Sequence, residues 1–138
     1  FLPDTMPTII KLRDKGYKLG VVSDGIAVKE WQKLIQLGLH HLFHSVIISE
    51  EYGAKELNSE LFKKCLKELN AEPSESIYVS SRLNRAILHA NRAGLISVRL
   101  KKGDHYVEEP KSVEARAKYE IDNLSQIFDV LEILESSQ

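Results

Sequence analysis

The chain has 138 residues, 43% of them hydrophobic, and a formal net charge of −1, which suits one ordinary domain with a single core. That charge gives no global pull toward nucleic acid or a membrane surface. One cysteine, Cys65, rules out an intrachain disulfide and fits a reducing compartment; with no bilayer-length apolar run and no signal-peptide pattern, the cytoplasm is the expected location.

The elements follow in chain order. Residue 1 is Phe rather than Met, which reads as an excised or processed piece of a longer chain. Pro3 and Asp4 open a helix at once, leaving no room for an earlier element. Asp4 or Thr5 caps it, Pro7 lies in its opening turn, Met6, Ile9, Ile10 and Leu12 are its apolar positions, and Gly16 closes it. Tyr17–Ser23 reads as a buried strand and Asp24-Gly25 as a turn. Val28, Trp31, Leu34 and Ile35 mark a second amphipathic helix ending at Gly38. After a short connector comes the strand Ser45–Ser49. A loop over 50–57 carries Lys55, and Asn58 or Ser59 caps a helix through Leu69. In that helix Cys65 sits among Leu61, Phe62, Leu66 and Leu69 at helical spacing, the setting of a structural thiol.

The stretch Ser76–Gly94 is the most informative. Ile77, Tyr78 and Val79 make a short buried strand, two serines follow, and a helix runs to the capping Gly94. Leu83, Ile87 and Ala90 share one face of that helix, with Arg82, Arg85, His89 and Arg92 nearly opposite. A strand feeding directly into a helix marks the end of a parallel sheet where α/β proteins bind ligands. Ser80, Ser81 and Arg82 occupy that place, without a carboxylate. Ile96–Leu100 is a further strand, 101–111 a polar loop or small hairpin, Tyr119–Ile121 an edge strand, and Leu124–Leu134 a closing helix. The alternation predicts a single α/β domain over 1–138: a three-layer, Rossmann-like parallel sheet with helices on both faces.

In order and spacing these signals resemble the haloacid dehalogenase superfamily of phosphatases and related hydrolases. The segment from Pro3 to Gly25 is similar to the helix and strand leading to the family's second motif, where Ser23 would hydrogen-bond a phosphate. The region from Phe43 to Leu69 is similar to the third-motif region, where Lys55 would neutralise phosphate and nucleophile charge, although Glu56-Leu57-Asn58 replaces the usual Pro-Asp-Pro. The family's nucleophile belongs to an Asp-x-Asp motif upstream of everything seen here, and Asp4 is no substitute. Its fourth motif holds Mg²⁺ with two aspartates, matched here by Ser81, which follows Ser80 at the Gly-Asp position, and by Ala86. The cap is absent.

The resemblance therefore implies a degenerate active site: a pseudoenzyme serving as a binding, regulatory or assembly module, with no cofactor because the Mg²⁺ ligands are missing. Ser23, Asp24, Gly25, Lys55, Ser80, Ser81 and Arg82 are its candidate phosphate- or anion-binding residues. One alternative is a phosphohydrolase whose nucleophile lies on an N-terminal segment outside this sequence. Another is a nucleic-acid or acidic-partner binder using Arg82, Arg85 and Arg92, though a solvated helix face is the plainer reading of that stripe. His40, His41 and His44 have metal-like spacing without a completing ligand set. The expected partners are an unidentified protein, the protein's own N-terminal segment or a second copy in a homodimer, with no membrane. In the family the missing first strand lies mid-sheet between the counterparts of Tyr17–Ser23 and Ser76–Ser80; here those two are expected to pair directly, with Ser45–Ser49 and Ile96–Leu100 outside them.

Overall fold

The computed structural model describes residues 4–101 and 108–137. The loop expected over 101–111 therefore falls largely outside the described residues. Among the described residues five strands and five α-helices follow in order, alternating until β4: α1 (Thr5–Asp14), β1 (Gly20–Ser23), α2 (Ala27–Gln36), β2 (Ser45–Ile48), α3 (Ser59–Leu69), β3 (Ile77–Ser80), α4 (Leu88–Arg92), β4 (Ile96–Leu100), β5 (Tyr119–Ile121) and α5 (Ile127–Ser136). Every recorded strand pair is parallel, and Tyr119–Ile121 is an edge strand as its charged flanks suggest.

The strands do not form one continuous sheet. β1 pairs with β2, β3 with β4 and β4 with β5, and β1 does not pair with β3. Direct pairing in the middle is thus corrected. A cavity of about 750 Å³ separates the two inner edges, lined from one side by Val21 and Val22 and from the other by Ile77, Tyr78 and Val79. Packing above and below holds it open. Alternate residues of a strand point to opposite faces, so Val22, Ile47 and Tyr78 pack with α3 and the helix after β3. Val79 and Val98 pack with α5 and Leu12 of α1, and Val46 packs with Ile9 and Leu34 of α1 and α2. The Phe62 ring of α3 meets Tyr78 edge-on at 4.7 Å. These contacts span the gap that backbone hydrogen bonds leave.

Local chemistry explains where elements begin and end. β1 starts at Gly20 rather than Tyr17 because the Leu19 amide donates to His44 Nδ1 (2.9 Å), an imidazole rather than a strand carbonyl. Gly20 lets α3 approach: a Cβ there would lie 2.7 Å from the Cys65 Sγ. Asn58 caps α3, its Oδ1 accepting from the Leu61 amide. Asp4 sits at the α1 N-cap without capping it; its carboxylate accepts instead from the Ser125 amide, at the turn before α5. The helix after β3 opens with a π-helical turn, Leu83–Ile87, closed by an Ile87 N–H to Arg82 C=O bond. The wide turn buries Leu83, Ala86 and Ile87 together. No described helix is long and apolar enough to cross a membrane.

Candidate active site

The site lies where the ends of β1 and β3 face each other. A second cavity, of about 520 Å³, is lined there by Ser23, Asp24 and Gly25 from the β1 end, by Ser80, Arg82 and Ala86 from the β3 end, and by Lys29, Glu30 and Lys33 from α2. Five of the seven residues expected from the sequence therefore converge: Ser23, Asp24, Gly25, Ser80 and Arg82. Lys55, exposed in the loop before α3, and Ser81 do not line this cavity.

The β1 end is shaped by a tight turn. Gly25 has φ 121°, a conformation a side chain would strain. The turn then enters α2, whose first amide, Ala27 N–H, donates to Glu50 Oε1 at 2.9 Å. The Ser23 hydroxyl donates to Glu30 Oε1 at 2.6 Å, and Glu30 Oε2 pairs with Lys33 at 2.9 Å. Burial pushes the Glu30 carboxyl up, but the hydrogen bonds from Ser23 and Lys33 and the charges of Lys33 and Arg82 outweigh it, and its pKa is lowered overall. At the β3 end, Ser80 Oγ accepts from the Arg82 amide at 3.1 Å. Burial pushes the Tyr78 phenol up to about 12, so it stays protonated, and the residue lines both cavities.

Two guanidiniums reach across between the ends. Arg82 lies 4.0 Å and Arg85 3.7 Å from the Asp24 carboxylate. The arginine stripe is consequently divided, because Arg92 pairs with Glu114 at 3.0 Å on the far end of the helix. Of the histidines, His44 is occupied with Leu19, and His40 and His41 stack edge-on. The Cys65 thiol is pushed up by burial, consistent with a structural role.

Sequence reasoning missed Glu30, Tyr78, Lys29 and Lys33. Glu30 had one usable signal, since seven positions beyond Ser23 it falls on the first turns of the helix that the Asp24-Gly25 turn folds back. Glu108 was also missed. Its carboxylate accepts from the Leu83 and Asn84 amides at 3.1 and 3.0 Å, anchoring the segment after β4 beside the helix that follows β3.

The model of the haloacid dehalogenase-like hydrolase family matches residues 1–99. The chain belongs to this family. It is 43% identical, over 94% of its own length and 55% of the relative's, to a glyceraldehyde 3-phosphate phosphatase of Methanopyrus kandleri. A protein of the same name from Methanocaldococcus jannaschii is 37% identical, over 96% of this chain and 57% of that one. Among solved structures, a haloacid dehalogenase-type phosphatase from Thermococcus onnurineus superposes with a TM-score of 0.80 at 31% identity, covering 94% of this chain and 57% of that one. The chain thus spans a little over half the length of the relatives it matches. Relatives named as phosphatases at this identity overturn the expectation of a pseudoenzyme, a non-catalytic binding or assembly module; the hydrolase alternative fits them better. The expectation rested on reading Ser81 and Ala86 as replacements for carboxylates, a reading that does not decide activity.

Proposed function

We propose that the full protein is a phosphohydrolase of the haloacid dehalogenase superfamily acting on a small phosphorylated metabolite, with glyceraldehyde 3-phosphate as the leading candidate. The observation that carries this reading is the 43% identity, across nearly the whole chain, to a phosphatase of that name. The nucleophile belongs to an upstream segment whose strand enters the cavity between β1 and β3. Two features support that seating. The inner edges of β1 and β3 have apolar neighbours on both faces, the signature of interior strands. A strand lying between them would end at Ser23 and Ser80, beside the second cavity.

The chain's own residues then have assignable roles. Ser23 has one O–H, which Glu30 Oε1 accepts at 2.6 Å; it serves a phosphate oxygen by turning that proton away from Glu30. Gly25 keeps the turn tight enough for a phosphate to approach the backbone. Lys29, Lys33 and Arg82 line the same cavity and neutralise the charge of a phosphate group. The family metal, Mg²⁺, does not fit the residues present. Ser81 and Ala86 stand where the family has carboxylates, Asp24 is turned toward Arg82 and Arg85, and Glu30 is held by Ser23 and Lys33.

The test is phosphate release by the full-length natural gene product from glyceraldehyde 3-phosphate, ribulose 1,5-bisphosphate, phosphoserine and pyrimidine nucleotides. Turnover of the triose phosphate above the others is expected. A folded protein that releases no phosphate from any of them overturns the reading.

A further inference from the structure

We infer that the positive charge facing the phosphate at this site comes from Arg82, held beside an Asp24 carboxylate that Arg85 shares, and that anion binding here needs no divalent ion. The inference rests on the phosphohydrolase reading for its substrate class and concerns how that substrate's charge is met.

Three observations converge on one place. First, both carboxylates of the cavity are engaged, Asp24 facing Arg82 and Arg85 and Glu30 held by Ser23 and Lys33, while Ala86 lines it with a methyl group and Ser81 does not line it. Second, a guanidinium is present in the same cavity. Arg82 lines it, is 39% exposed, and its only described ion pair is the long 4.0 Å approach to Asp24, so most of its five donors remain available to a ligand. Third, the Asp24 carboxylate is shared. Arg85 approaches its other oxygen at 3.7 Å, so Asp24 does not cancel Arg82 one for one.

The electrostatics are self-consistent. Among the described lining residues, Arg82, Lys29 and Lys33 outnumber the carboxylates Asp24 and Glu30, so the cavity is positive without a divalent cation. Lys29 and Lys33 add to that field from α2, against Glu30. A planar guanidinium also offers paired N–H groups matched to two oxygens of a phosphate, which a point-like ammonium does not. The Ser80 hydroxyl stands on one side as a neutral donor, and the Ser23 hydroxyl on the other becomes one when its proton turns from Glu30 to the phosphate.

The test is calorimetric titration of inorganic phosphate into the full-length protein in chelator-treated buffer, repeated with added Mg²⁺. Phosphate should bind without metal, and Mg²⁺ should change the affinity by less than about twofold. Arg82→Gln should weaken binding by about tenfold or more, the worth of a lost charge-assisted hydrogen-bond pair, and Arg82→Lys should recover part of it. Arg92→Gln, far along the helix, should leave binding unchanged. Binding that appears only with Mg²⁺, or that Arg82→Gln leaves intact in a protein of native circular dichroism, overturns the inference. The two readings separate cleanly. Ester hydrolysis that requires Mg²⁺ sinks this assignment and keeps the phosphatase, whereas metal-free, Arg82-dependent phosphate binding without hydrolysis of any ester does the reverse.

Discussion

The two strand ends that face each other across the site have been built by different means. At the β1 end, a hydroxyl, a positive-φ glycine and a half-buried carboxylate fix one small group tightly: Ser23, Gly25 and Glu30 are tied by a 2.6 Å hydrogen bond and a turn only glycine accepts without strain. At the β3 end the contacts are longer and ionic, with Arg82 and Arg85 at 4.0 and 3.7 Å from Asp24, and the helix begins with a widened turn. The first end resembles a fixed hydrogen-bonding cradle and the second an adjustable source of charge.

The largest expected effect comes from filling the cavity between them. In this chain alone, the inner-edge amides of β1 and β3, drawn from Val21, Val22, Tyr78 and Val79, lack a strand partner and should exchange quickly. In the full-length protein they should be protected by about a hundredfold or more. Equal exchange in both would show that no strand enters there. Next in size, Ser23→Ala in the full-length protein should lower kcat/KM by about 10- to 100-fold, the loss of one hydrogen bond to a charged group, while Ser80→Ala should cost only a few-fold. The reverse ranking would dissolve the contrast between the two ends.

Gly20→Ala perturbs only the β1 half. Its Cβ would lie 2.7 Å from the Cys65 Sγ, and a loss of about 1–3 kcal/mol in urea unfolding is expected. Adding Cys65→Ala should recover much of it, because the clash is with that thiol. A full loss in the double variant would place the strain in the backbone instead.

The smallest effect is a pH dependence. Glu30 has a folded pKa below its unfolded value, so its stabilisation is fully present above the unfolded value of about 4.5 and is lost as the pH falls through the lower folded value. Glu30→Gln should therefore lower the melting temperature at neutral pH and flatten its decline as the pH falls below about 4.5. An unaltered acid slope would mean that other carboxylates carry it.

Much of the scaffold was legible because it rests on local rules. β-branched runs marked β1 to β4, Asn58 announced the start of α3, and charged flanks marked Tyr119–Ile121 as an edge. What was not legible depends on partners far away in sequence. Nothing near Leu19 shows that its amide will donate to His44, nor does anything near Asp4 show that it will reach Ser125. Arg82 and Arg85 read as part of a solvated stripe until the fold brings Asp24, nearly sixty positions earlier, beneath them. The helix period assumed for that stripe also fails at its start, because the turn over Leu83–Ile87 is wider than an α-helical one. Direct pairing of β1 with β3 was expected because it minimises open strand edges, but helices packed across both halves hold the edges apart.

That separation bears on how the molecule comes apart. A continuous sheet transmits order from strand to strand through its ladder, and small domains usually lose all of it in one step. Here the two halves share side-chain packing, chiefly Phe62 against Tyr78 and α1 and α5 along the opposite face, but no ladder crosses between them. In this chain by itself the seam is therefore the natural line of first opening, and partial unfolding should release one half as a unit before the strands within either half separate; a strand seated between β1 and β3 would close that line.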